Sequence, residues 1–457
     1  MKKYFFYILL LGCIGSSCTK QENWLDEKIN INSLVPTRLS DFGALLNADI
    51  FFQSYGTFGL IGTDHIYVND ADYFSIIVPR ERNAYIWAKD VLEGSNTDEW
   101  SSMYRMIEVA NVCLEGLERI EMTNANAVEW KRIKGTALFF RGLAYYQLLQ
   151  FFAPPYDASK AATDLGVPIR LTADVNIRPG RSSVKDCYDR VLSDLTNALD
   201  LLPKVAAFKS RPSEISTYAM LAKVYLTLEN WTKAAEFSGL VLAQNPTLID
   251  FNSLNANAAI PFPTFQIGHP EVIQYAEGTL SNFYVGNIPL FDSVLYRSYA
   301  GNDLRRTLFF RLFNQRPIFR GFYTGVNMVP FAGIATNEVY LIRAESLARL
   351  GQKDAAMQVL NALLVKRWRT GTYVPLVAVD AEDALKKILV ERRKEVPFHA
   401  NLVWEDLRRL NKDSRFARTL TRVIAGVTYT LAPNDKRYTL PIPDLEIQLT
   451  GIPQNER

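Results

Sequence analysis

Between Ser213 and Pro246 the chain carries two apolar stripes separated by a short polar break, and this pattern narrows the fold more than any other stretch. Ile215, Tyr218, Ala219, Ala222, Tyr225 and Leu226 recur at three- and four-residue steps, which draws one face of a helix. Glu229-Asn230 makes the turn, and Trp231, Ala234, Ser238, Val241 and Leu242 carry a second stripe to Asn245-Pro246. Small residues where the two helices would cross let the backbones approach, while the aromatics fill the flanks. Such a pair cannot bury its apolar face alone, so the pattern calls for sister units.

The mutual spacing of Tyr218, Leu221, Ala222, Tyr225, Trp231, Ala234 and Pro246 is that of a tetratricopeptide helical hairpin. A sister runs from Asn337 to Trp368, with Tyr340, Ala344, Leu347, Gly351, Ala356, Leu360 and Leu363 in register; Gly351 suits the left-handed residue that ends a helix. Looser amphipathic runs lie at Glu99–Ile120, Glu129–Phe152, Val184–Leu202, Ala381–Val396 and Leu402–Leu410. The expected fold is mainly α: a tetratricopeptide-like repeat scaffold with helix pairs near 99–152, 184–246, 337–369 and 381–411. Long loop-rich insertions fall near 48–98 and 247–335. Asp41–Asn47 reads as a short first helix, Val423–Leu431 as a short strand, and the residues after Arg437 as a proline-punctuated extended tail.

With 51 Lys and Arg against 48 Asp and Glu, nothing in bulk electrostatics invites nucleic acid. The three histidines (His65, His269, His399) are far apart and no Cys/His cluster has metal-ligand spacing, so no metal or other cofactor is expected. Asp64-His65 lacks an accompanying G-x-S-x-G elbow or H-E-x-x-H helix and reads as a hydrogen-bonded structural pair rather than a catalytic one. The mixed-sign run Glu391–Glu395 reads as a solvated or ion-paired helix face. No enzyme is expected.

At the N-terminus, Lys2-Lys3 precedes an apolar run from Tyr4 to Ile14 and then Gly15-Ser16-Ser17-Cys18. That is a bacterial export signal, too short for a membrane span, ending in a lipobox-like context. Residues 1–17 read as the signal peptide, Cys18 as the lipidated residue, 18–40 as a tether and 41–457 as the folded body. Leu11-Gly12-Cys13 is a rival cleavage context that would shorten the apolar core. Cys113 and Cys187 sit in apolar helical contexts and read as small core residues, not a disulfide.

Four stretches, in order, resemble the SusD/RagB family of bacterial surface lipoproteins: Cys18 with WLDEK behind it, KGTALFFRGLAYYQLLQFFAPPY from Lys134, NEVYLIRAESLARLG with LVERRKEVPFHANLVWEDLRRLN from Leu389, and LPIPDLEIQLTGIPQN near the end. Pro397, Ala400 and Val403 depart from the family's pattern, where a glycine and an arginine are more usual. The resemblance implies a lipid-anchored protein on the outer face of the outer membrane. Its partner would be a TonB-dependent transporter of the SusC/RagA type, and its ligand an oligosaccharide or, alternatively, an oligopeptide. A repeat scaffold that binds only another protein is the competing class.

Sugar capture without catalysis needs aromatic faces for C–H surfaces and polar side chains for hydroxyls. The insertions supply Tyr55, Tyr67, Tyr73, Trp87, Tyr284 and Tyr296 as candidate platforms, with Asp64, Asn69, Asp72 and Arg82 as candidate polar partners.

Overall fold

The computed structural model describes residues 36–264, 268–279, 281, 283 and 290–457. The chain enters through α1 (Leu39–Leu45) and three short helices, α2 (Phe58–Ile61), α3 (Asp70–Ser75) and α4 (Pro79–Tyr85). The long helices follow: α5 (Asp98–Glu118), α6 (Ala127–Phe152), α7 (Val184–Leu199), α8 (Glu214–Thr227) and α9 (Trp231–Gln244). After a second excursion holding α10 (Ser293–Arg297) and α11 (Arg305–Leu308), the repeats resume with α12 (Thr336–Arg349), α13 (Lys353–Leu364), α14 (Ala381–Glu395) and α15 (Leu402–Leu410). From α5 to α9 and from α12 to α14 each helix packs on the next, and α9 bridges the excursion to pack on α12, so the repeats form one continuous stack.

Sequence chemistry explains the joints. Ser213 caps α8 in a capping box with Ser216, and Asn230 caps α9 by accepting from the Lys233 amide. Between them Glu229 takes a left-handed φ of 58°, and Gly351 does the same at 78° between α12 and α13. Ala222 and Ala234 are fully buried at the crossing of α8 and α9, and the Tyr225 and Phe237 rings stack beside them at 5.5 Å. Helix α6 is buried on every side from Gly135 to Phe152, which is why its apolar residues show no clean stripe. Its one buried cation, Arg141, donates to both carboxylate oxygens of Asp194 at 2.8 Å and to Asn111 at 2.9 Å, joining α5, α6 and α7. Cys113 and Cys187 are free and buried.

Two expectations need correction. Val423–Leu431 is not one strand: it spans the end of Leu420–Ile424, a turn through Ala425 and Gly426 at positive φ, and Val427–Leu431, the two strands pairing as a hairpin. The tail is not wholly extended, for it contains α16 (Asp444–Thr450), entered from Pro443 and closed by Gly451 at φ 70°. No helix among the described residues is long and apolar enough to cross a membrane.

The mixed-sign run is ion-paired but scarcely solvated: Arg392 and Glu395 are buried, and Glu391 and Lys394 nearly so. Glu345 sits among the same charges. Burial alone would raise its pKa, yet the Arg409 and Arg349 guanidiniums outweigh it and hold the carboxyl at about 2. This depressed value contributes stability above the ordinary range near 4.5, lost as pH falls toward 2.

The three histidines act on a wider window. Burial lowers each to about 3 from 6.5, so the unfolded chain takes up protons that the folded chain refuses, and stability falls as pH drops from 6.5 toward 3. His269 stacks on Phe262 and lies 4.5 Å from the Tyr323 ring, with neither nitrogen bonded to a described residue. His269→Phe is therefore expected to keep full stability at pH 7 and to recover about 2 kcal/mol of the loss between pH 7 and pH 5. Urea unfolding at the two pH values checks this; an unchanged pH slope would contradict it.

Candidate ligand-binding surface

The two excursions meet in one loop-rich layer against the repeats. β1 (Ile66–Tyr67) pairs antiparallel with Leu290–Phe291, and Thr279 donates its amide to the Tyr55 carbonyl at 2.8 Å. Helix α2 lies on α15 through Gly59 and Gly62, where any added Cβ would fall within 3 Å of Asn401 or Trp404. This fixes the start of the aromatic-dense segment to the scaffold.

From that base the chain alternates inward and outward. Ile66 points in and Tyr67 out, with 48% of the latter exposed. In α3 Tyr73 faces the core while Phe74 stands 61% exposed, its ring meeting Tyr73 edge-on at 5.3 Å. Ile76 is buried and Ile77 is 78% exposed. Behind these groups Tyr85 lies 5.9 Å from Tyr73, and its hydroxyl accepts from the Val68 amide at 2.9 Å. Tyr67 is near enough to influence that phenol, and Tyr429 of the Leu420–Leu431 hairpin influences Tyr73 in the same way. The phenol of Tyr73 is raised in pKa, first by burial and then by Tyr429, although Arg82 opposes the shift.

The polar candidates beside these rings are partly committed to the fold. Asn69 caps α3 by accepting from the Asp72 amide at 2.9 Å and donates to the Asp72 carboxylate. Arg82 donates to the Ile76 carbonyl at 2.8 Å. All three keep partial exposure, and Asn69 and Asp72 lie within two residues of Tyr67 and Phe74, respectively, in sequence. Outward aromatic faces fringed by short polar side chains can hold a polyhydroxylated, partly apolar ligand by stacking and hydrogen bonding.

Other candidates fall elsewhere. Tyr55 is 2% exposed and donates to the Phe51 carbonyl, and Trp87 is likewise 2% exposed, with its indole N–H donating to the Gly62 carbonyl at 2.9 Å. Both are core residues that present no face to a ligand: Trp87 lies under the hairpin Leu420–Leu431, and Tyr55 is covered by the second excursion at Gly278 and Thr279. Arg422 of that hairpin lies 4.5 Å from the Trp87 ring and 3.5 Å from Tyr85, and donates to the carbonyls of Ile61, Thr63 and Tyr85. Burial lowers its pKa to about 10. Tyr73 is floor rather than platform. Asp64 pairs with Arg393 and Arg418 at 2.7 and 2.8 Å. His65 accepts from the same Arg393 instead of bonding Asp64. Tyr296 on α10 is half-buried, with Arg306 over its ring at 5.1 Å. Tyr284, like Cys18, lies outside the described residues.

The exposed members the sequence reading passed over are Phe74 and Ile77. A six-residue helix offers no periodicity from which to choose the outward ring of the Tyr73-Phe74 pair. Among the described residues no group of three or more His, Cys, Asp or Glu is placed to hold a metal.

Stacked helical repeats carrying a loop-rich layer with an outward aromatic surface define a helical-repeat binding protein. A family model described as starch-binding, associating with the outer membrane, matches residues 23–226, which contain the whole aromatic segment. Over those residues the chain is similar to this SusD-like family. It is 24% identical, over an alignment of 420 residues covering 76% of this chain and 77% of the relative, to SusD-like protein P2 of Formosa agariphila. Solved structures share the fold. A SusD superfamily protein from Bacteroides thetaiotaomicron aligns at TM-score 0.73 and 23% identity, covering 92% of this chain and all of the other. A SusD-like carbohydrate binding protein from Bacteroides vulgatus aligns at 0.68 and 20%, covering 91% and 97%. A laminarin binding SusD-like protein aligns at 0.63 and 17%, covering 91% and 98%.

Proposed function

We propose that this protein captures an oligosaccharide on the surface formed by Tyr67, Phe74 and Ile77, with Asn69, Asp72 and Arg82 supplying hydrogen bonds to hydroxyls. The observation that carries the reading is the outward turn of Tyr67 and Phe74, both exposed on a segment otherwise packed with buried aromatics. The family model's description as starch-binding supports the ligand class. Binding needs no bond to break, and the surface offers rings and amides rather than an acid–base pair, so the role proposed is capture without catalysis. Within this reading a lipid on Cys18 holds the protein at the outer face of the outer membrane, and the ligand passes to a TonB-dependent transporter of the SusC type. The family's association with the outer membrane supports that placement.

Native electrophoresis of residues 19–457 through gels containing different polysaccharides tests the reading, with an oligopeptide titration beside it. Retardation by at least one polysaccharide is the expected result. A saturable peptide signal with no retardation would move the ligand to oligopeptide, and silence in both would favour a scaffold that binds only protein.

A further inference from the structure

A groove of about 360 Å³ lies between α14 and the segment running from α15 to Arg418, and none of Tyr67, Phe74 and Ile77 lines it. Leu389, Val390, Val403 and Phe416 give it apolar walls, and Lys386, Arg393, Arg415 and Arg418 give it positive charge. Asp406 is the single carboxylate of the lining, and it is already engaged by Arg392 at 2.7 Å and Arg409 at 2.8 Å.

Lys386 is paired with Glu382 and Arg415 with Asp413, both at 2.7 Å, but the Arg393–Arg418 pair is under-compensated. Arg393 and Arg418 both donate to one oxygen of Asp64, Oδ2, and each keeps about a third of its side chain exposed (31% and 34%). Among the described residues Arg418 has no other ion-pair partner. Arg392, buried at 2% exposure, keeps its Nη1 without an acceptor. Burial lowers the Arg393 pKa and the neighbouring Arg418 lowers it further, although Asp64 opposes the shift. Two guanidiniums sharing one carboxylate favour a second anion beside them, and the walls next to them are hydrocarbon.

We propose that this groove binds a small amphipathic carboxylate, its head on the Arg393–Arg418 pair and its apolar body along Leu389, Val390, Val403 and Phe416. The volume lies within the range of small-molecule sites. A neutral sugar would leave the charge unmatched and the hydrocarbon walls unused, so this site is separate from the glycan surface.

Calorimetric titration with sodium octanoate, 1-octanol and octylammonium separates charge from apolarity. Octanoate is expected to bind saturably and at least tenfold more tightly than the other two. Arg418→Gln is expected to weaken octanoate at least tenfold. Val390→Trp, at a position 57% exposed, fills the groove without touching the ion pairs and is expected to do the same with an unchanged melting temperature. Polysaccharide retardation of Val390→Trp stays at the wild-type level, which separates the two sites. Absence of saturable octanoate binding, equal affinity for octylammonium, or full octanoate affinity in Val390→Trp would overturn the proposal.

Discussion

Arg367→Ala is expected to lower the unfolding free energy by about 3–5 kcal/mol. The guanidinium is fully buried and donates to both oxygens of Glu271 at 2.9 and 3.0 Å, to Glu395 at 2.7 Å and to the Ile249 carbonyl at 2.8 Å, above the Phe251 ring. Glu395 in turn accepts from Arg305, which also binds Asp303 and Glu391. The network ties α13 and α14 to the second excursion, so it sets where the loop-rich layer sits on the repeats. Removing Arg367 strands Glu271 and Glu395 in the interior. Burial already raises the Glu271 pKa against the pull of Arg367, and without that pull the carboxyl must take up a proton or bring in water. Urea unfolding at pH 7 measures the effect. Lys386→Ala, which removes an exposed pair with Glu382, serves as the comparison and is expected to change stability by less than about 0.5 kcal/mol. A loss below about 1 kcal/mol in Arg367→Ala would contradict the role given to the network.

Trp87→Ala is expected to cost about 3–5 kcal/mol as well, through packing rather than charge. The ring is enclosed, its N–H is bonded to Gly62, and Arg422 lies against it and against Tyr85. Truncation opens a cavity under an arginine that Tyr85 and the three carbonyls must then hold. The aromatic surface stands on the same Tyr85, so glycan binding is expected to fail only where the protein unfolds. Thermal melting followed at the tryptophan band and by far-ultraviolet circular dichroism checks this. A stable Trp87→Ala variant that has lost glycan would return Trp87 to the list of ligand platforms.

The repeat scaffold was legible because helices of twelve residues or more write their buried face as a period. Tyr218 to Leu242 and Tyr340 to Leu363 gave their hairpins, their turn and even the left-handed Gly351. Helix α6 was placed by its length and by the prolines after it, although its buried circumference shows no stripe. The insertions were legible only as aromatic-rich. Whether Tyr73 or Phe74 faces outward depends on which side of a single turn meets Tyr85, and that is decided by chain distant in sequence. Trp87 and Tyr55 looked like platforms because nothing local announces the hairpin and strand pairings that cover them. Arg422 gave no signal for the same reason: its partners are backbone carbonyls some 340 to 360 residues away. The hairpin turn at Ala425-Gly426 was readable in hindsight from the glycine, and α16 from Pro443, Asp444 and Gly451.

The most direct test of the central claim is a calorimetric titration of residues 19–457 and of the Tyr67→Ala/Phe74→Ala double variant with an oligosaccharide drawn from whichever polysaccharide retards the wild type. Both rings stand on the surface, so the variant is expected to keep its unfolding midpoint and to lose at least tenfold in affinity, about 1.4 kcal/mol or more. Undiminished affinity in a folded double variant would contradict the account and place the glycan on another face of the molecule.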